Sequence, residues 1–114
     1  MSLTLQEHIE QIRANIKRFQ KIEGKDWGAE GAVIELVKQV GQLATLIMVQ
    51  EKYYFSDRGK LDEKYIVSKE ALADELADII SAVVRIADHY EIDLEAANLK
   101  ARQTEDKFLK GRGI

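Results

Sequence analysis

Cysteine and proline are both missing from this 114-residue chain. Without cysteine there is no disulfide, no thiolate zinc site and no cysteine nucleophile. Without proline nothing breaks a helix from within. The seven glycines fall mainly at 24–31, at Gly59 and at the C-terminal end, and only Gly41 lies inside a periodic segment. Long, uninterrupted helices are what this distribution permits. A strong charge of one sign is missing too. The formal net charge of −3 is too small and too evenly spread for the basic face of a polynucleotide-binding protein, so no direct polynucleotide binding is expected. No apolar run follows a basic start, and none reaches the roughly 18 residues of a membrane span, so a cytoplasmic protein without a membrane partner is expected. With 46% apolar and 32% charged residues, the chain suits a single soluble domain, 1–114, with one modest core.

Four helical segments are expected, at about 4–22, 29–51, 68–90 and 93–109, with a loop at 52–67. Thr4-Leu5-Gln6-Glu7 matches a capping box, and Leu5, Ile9, Ile12, Ile16 and Phe19 then form one narrow apolar stripe. Residues 24–31 read as a connection, where Trp27 either packs a helix corner or lines a pocket. The second segment is apolar nearly all round, which marks a central helix. Its polar residues Glu35, Lys38, Gln39 and Gln42 share one strip, because steps of three, four and seven return to the same side. The loop carries Tyr53, Tyr54, Phe55, Tyr65 and an Asp57-Arg58-Gly59 turn signal; it is either a lid or partner contact or a solvated connection. Ser68 and Asp93 are the expected N-caps of the third and fourth helices. No strand signal appears, and the expected architecture is all-α and four-helix bundle-like.

The third segment carries Glu75 and Asp78 within ALADELADIISAVVRIADHY. Residues three apart lie one above the other on a helix, so both carboxylates point the same way, toward the neighbour of Leu72, Leu76, Ile79 and Val83. Two acids placed so are a common beginning of a magnesium site. His8 and His89 are far apart in sequence and belong to no Glu-x-x-His pair, so each reads as an ordinary histidine.

Glu75-Leu76-Ala77-Asp78 as an ExxD motif, followed by Glu91-Ile92-Asp93-Leu94 as a turn into a last helix, resembles the MazG-like, all-α nucleoside triphosphate pyrophosphohydrolases over roughly 27–108. That resemblance implies a MazG-type bundle. It also implies magnesium held by carboxylates of two helices, a nucleoside triphosphate as substrate, and cleavage to a nucleoside monophosphate and pyrophosphate. Metal ligands would be Glu75 and Asp78. The family's first motif, EExxE, is replaced here by Lys38-Gln39-Val40-Gly41-Gln42, which keeps the glycine and the apolar frame but none of the acids. Where many relatives carry an asparagine in a K-x-x-x-N-x-x-K/R-F/Y arrangement, this chain has Lys100, Thr104, Lys107 and Phe108, so only the basic ends survive. Lys38, Gln39, Gln42, Lys100 and Lys107 are thus candidate substrate contacts. Lys38 has two roles open to it, pairing with Glu75 or Asp78 or reaching outward into solvent. Glu35, one turn before Gln39, either supplies a third carboxylate to the catalytic group or is a surface acid.

Two further readings share the fold: an inactive homologue serving as a nucleotide-binding or regulatory module, and a dimerisation domain whose amides and acids form a polar network. The second and third helices carry more apolar surface than one chain can cover, so a homodimer or homotetramer is expected.

Overall fold

A computed structural model describes residues 2–53 and 67–114. Its described residues form four helices and no strand: α1 (Leu5–Gln20), α2 (Gly28–Gln50), α3 (Lys69–His89) and α4 (Leu94–Gly111). The expected all-α class is what the chain adopts. Residues 54–66, with Tyr54, Phe55, Tyr65 and the Asp57-Arg58-Gly59 signal, lie outside the described residues.

Three helix starts are fixed by the caps expected from the sequence. Thr4 Oγ1 accepts from the Glu7 N–H, and the Thr4 N–H donates to Glu7 Oε1, both at 3.1 Å. Ser68 Oγ accepts from Ala71 N–H at 3.1 Å, and Asp93 Oδ1 from Ala96 N–H at 3.0 Å. Each satisfies a donor that the first helical turn leaves without a partner. Between α3 and α4 the chain turns on Glu91, whose φ of 53° lies in the left-handed region, while the Ile92 N–H closes back onto the Ala87 carbonyl at 2.8 Å. A side chain there works against the backbone. Glu91→Gly is expected to stabilise the fold by roughly 1 kcal/mol, read as a raised chemical-denaturation midpoint.

The principal helix packings among the described residues are α2 against α3 and α1 against α3. At the crossing of α1 with α3, Ile9, Ile16 and Val84 are buried together, with Ile12 and Leu94 packed against them. This crossing takes only the middle of the α1 stripe: Leu5 and Phe19 at its ends are 42% and 59% exposed. Arg13 forks onto Asp88, with its Nε 2.9 Å from each carboxylate oxygen, and pins α1 to the last turn of α3. The Arg13 guanidinium is held in its charged form chiefly by that hydrogen bond. The start of α4 is tied down by Leu94 and by Glu95, whose Oε2 accepts from the Gln6 N–H at 2.8 Å. Beyond that, α4 has no buried residue.

α2 is central by composition yet open by environment. Val33, Ile34, Val37 and Val40 are 46–68% exposed. At 100° per residue they occupy the side of α2 opposite Glu35, Lys38 and Gln39. By length and composition alone Gly28–Gln50 is apolar enough to cross a membrane, a test that the central helix of a soluble protein also passes. Its charges are few, and two of them, Glu35 and Lys38, cancel as an ion pair.

Candidate functional site

Arg85 near the end of α3 lies over Trp27 at the start of α2, while Glu75 in the first half of α3 feels the charges of Lys38 and Glu35. The two helices therefore run antiparallel, and their polar interruptions face each other. A cleft of about 410 Å³ opens along this junction. Asp78, Ser81, Ala82 and Arg85 line it from one stripe of α3, and Glu35, Lys38 and Gln39 from one strip of α2. Ile16, Phe19, Glu23 and Trp27 close it from α1 and the corner that follows.

The chemistry at the acid end is specific. Both Glu35 oxygens are engaged: Gln39 Nε2 donates to Oε1 at 2.8 Å, and Lys38 Nζ lies 2.9 Å from Oε2. Burial works to raise the Glu35 pKa, but the hydrogen bonds from Lys38 and Gln39 and the charges of Lys38 and Arg85 outweigh it, leaving the pKa lowered. Glu35 stays a carboxylate at neutral pH. Glu75 behaves oppositely. Burial, then the neighbouring Asp78 charge, push its pKa up, with further contributions from Asp74 and Glu35 that Lys38 only partly offsets. Among the described residues, two buried oxygens here, Glu75 Oε2 and Gln39 Oε1, have no hydrogen-bond partner. Both are acceptors. A buried acceptor without a donor is costly.

These placements sort the candidates. Glu35, Lys38, Gln39 and Asp78 share the cleft, and Glu75 lies one turn before Asp78 on the same face. Gln42 is exposed and does not line it. Lys100 and Lys107 are exposed on α4 and do not line the cleft of their own chain. Lys38 pairs with Glu35 on its own helix rather than with Glu75 or Asp78, because the partner three residues back is reached without crossing between helices. Glu35 is accordingly neither a free third ligand nor a plain surface acid. His8 and His89 lie outside the cleft. Among the described residues no group of three or more His, Asp or Glu side chains converges on one point in a way that could hold a metal ion.

Sequence reasoning missed the other end of the cleft. Arg85 donates to Glu23 at 2.8 and 3.3 Å, and its guanidinium lies 3.8 Å from the centre of the Trp27 ring. Arg85 and Glu23 are only 12% and 14% exposed. Gly31 permits this arrangement: a Cβ at that position would come 2.5 Å from Trp27 Cβ. Gly31→Ala is expected to displace the indole from Arg85, seen as a red-shifted emission of the chain's one tryptophan. The available signal was the spacing of Arg85 from Asp78, seven residues or two turns along one face.

Comparison with family models, with curated proteins and with solved structures finds no match.

Proposed function

We propose that the chain is a MazG-like nucleoside triphosphate pyrophosphohydrolase that works in the cleft between α2 and α3. The observation that carries this reading is the pair of buried, unpartnered acceptors, Glu75 Oε2 and Gln39 Oε1, beside Asp78. Hard oxygen donors suit magnesium, which is often bound through one or two carboxylates and the substrate's own phosphates rather than through a complete protein cage. The donor set therefore fits magnesium arriving with a nucleotide. Glu75 and Asp78 would hold it, and the metal would supply neutralisation of the triphosphate and activation of the attacking water. Glu35, kept ionised, fixes Lys38 and Gln39 in place and holds the Lys38 ammonium toward incoming phosphate. The test is isothermal titration of magnesium with a nucleoside triphosphate, followed by a pyrophosphate-release assay on the same sample. Magnesium-dependent release supports the reading.

A specific observation favours the second reading, an inactive homologue that binds nucleotide or regulates. The Lys38 ammonium already occupies Glu35, and no three-acid group forms among the described residues. Tight nucleotide binding without turnover would decide for it.

The same proposal includes a homodimer or homotetramer in the cytoplasm. A compact chain of this length has a radius of gyration of about 13 Å, whereas this one measures 17.9 Å. Its exposed apolar residues on α2 and α3, among them Ile34, Val37 and Ile80, are the surface a second copy covers. Size-exclusion chromatography with light scattering is expected to give twice or four times the chain mass, and Val37→Asp to lower it. A wild-type monomer at micromolar concentration would contradict the assembly.

A further inference from the structure

The small net charge of the chain hides a local excess. Residues 13–25 hold five of its 17 lysines and arginines and only one of its 20 acids, Glu23. The fold sharpens that imbalance, because Arg85 draws Glu23 inward to 2.8 Å and leaves it only 14% exposed, while Arg13 is engaged by Asp88. Lys17, Arg18, Lys21 and Lys25 remain exposed at the end of α1 and the corner after it, and among the described residues none of them has an ion-pair partner. The nearest exposed acid along the chain is Asp26. Two apolar side chains stand among these cations, Phe19 at 59% and Ile22 at 80% exposure. We infer that this end of the molecule is a contact for an anionic lipid surface: Ile22 and Phe19 enter the headgroup boundary, and the four cations pair with the acidic headgroups around them.

The patch is held ready. The Lys21 N–H donates to the Arg18 carbonyl at 3.2 Å and the Ile22 N–H to the Phe19 carbonyl at 2.9 Å, so Ile22 extends the last turn of α1 on the face that Arg18 and Phe19 share. Asn15, Arg18, Phe19 and Ile22 line one hollow there. Behind them the corner is fastened to α3 by Glu23 and Trp27 on Arg85, so binding has little left to order. Composition then selects the class of partner. Lysine beside an isolated aliphatic side chain suits lipid, since each cation near an anionic leaflet adds attraction and the aliphatic group has a hydrocarbon boundary to enter. A protein interface favours aromatic residues and arginine over lysine, and a nucleic acid stacks on planar groups, which Ile22 does not offer. Cations at a helix C-terminus also complement its dipole, but that role makes no demand on Ile22. The expectation of no membrane partner rested on spanning runs, and a surface contact needs none.

The experiment sediments the full chain with vesicles of phosphatidylcholine alone and of an equal mixture with phosphatidylserine, at low and at high salt. Neither magnesium nor nucleotide is present, so failure here leaves the reading of the α2–α3 cleft untouched. Binding about tenfold or more tighter to the anionic vesicles, weakened by salt, is expected. Ile22→Asp should weaken it at least about tenfold, and Lys21→Gln combined with Lys25→Gln roughly 25-fold. All three side chains are exposed, so these replacements leave the fold intact. Ile22→Cys supplies the only thiol in a chain without cysteine, and an environment-sensitive dye attached there is expected to shift to the blue on anionic vesicles. No preference for anionic vesicles, or wild-type binding by both the Ile22 and the lysine variants, would overturn the inference. Binding to polyglutamate as tight as to anionic vesicles would overturn it in favour of an acidic protein, and equally tight binding to single-stranded RNA in favour of a nucleic acid.

Discussion

Glu75→Gln is expected to lower pyrophosphate release by roughly 10²- to 10³-fold and, at neutral pH, to raise thermal stability. The two effects have one origin. Burial and the Asp78 charge raise the Glu75 pKa above its usual 4.5, so ionising this side chain in the folded state is unfavourable. For a carboxyl with a raised folded pKa, the stabilising contribution is complete below the unfolded value and is lost as pH rises through the folded value. Wild type therefore carries an uncompensated cost at neutral pH, which glutamine removes. The stability gain should vanish in acid, where Glu75 is protonated anyway. On the proposed function, loss of a ligand for the divalent cation would account for the rate, since its charge stabilisation is worth several kcal/mol in the transition state. Stability purchased by loss of function is the signature of a group kept for chemistry. A variant that melts lower than wild type at neutral pH would identify Glu75 as a structural partner instead. Glu35 gives the opposite sign: with its pKa lowered, its contribution is present above the unfolded value and is lost as pH falls through the folded one.

Gln39→Glu should strengthen magnesium binding by about tenfold or more, roughly 1.4 kcal/mol, while destabilising the metal-free protein. Gln39 now donates to Glu35 Oε1 at 2.8 Å. Glutamate cannot donate, so the hydrogen bond to Glu35 would be replaced by two facing carboxylates that the charges of Lys38 and Arg85 only partly offset, a cost of about 1–3 kcal/mol. A divalent cation relieves it. The added carboxylate also takes the place of the unpartnered Gln39 Oε1 with a harder, charged ligand. Gln42→Glu is the internal comparison, because Gln42 is exposed and outside the cleft; its replacement should leave magnesium affinity unchanged. Equal gains from both substitutions would show that bulk charge, not the geometry around Gln39, governs the cation.

Local chemistry was legible in the sequence and long-range partnership was not. Thr4, Ser68 and Asp93 cap helices through atoms three residues away, so spacing alone identifies them. The facing of the α2 strip and the α3 acids followed from periodicity. Lys38 was read either across to Glu75 or Asp78 or outward into solvent, yet its partner is Glu35 on the same helix; a wheel shows which positions are reachable but not which rotamer is taken. Phe19 fits the apolar stripe, but α1 crosses α3 near Ile16 and Val84, and no periodic pattern reports where a crossing ends. Arg85 of α3 meets Glu23 and Trp27 of the α1–α2 corner, 62 residues apart in the case of Arg85 and Glu23. Their spacing carries no trace of that contact. α4 presents the converse case: its cap and its length were readable, while Lys100 and Lys107 lie exposed on a helix that, among the described residues, joins the core through Leu94 at its start.

The central claim is that Glu75 and Asp78 organise magnesium and a nucleoside triphosphate in the α2–α3 cleft. The most direct measurement follows pyrophosphate released from a nucleoside triphosphate by the wild-type chain as magnesium is titrated, with Asp78→Asn measured in parallel. The account predicts release that saturates with magnesium, yields the monophosphate in equal amount and falls at least about a hundredfold in the variant. Release without magnesium, release of inorganic phosphate in its place, or a variant as active as wild type would contradict it.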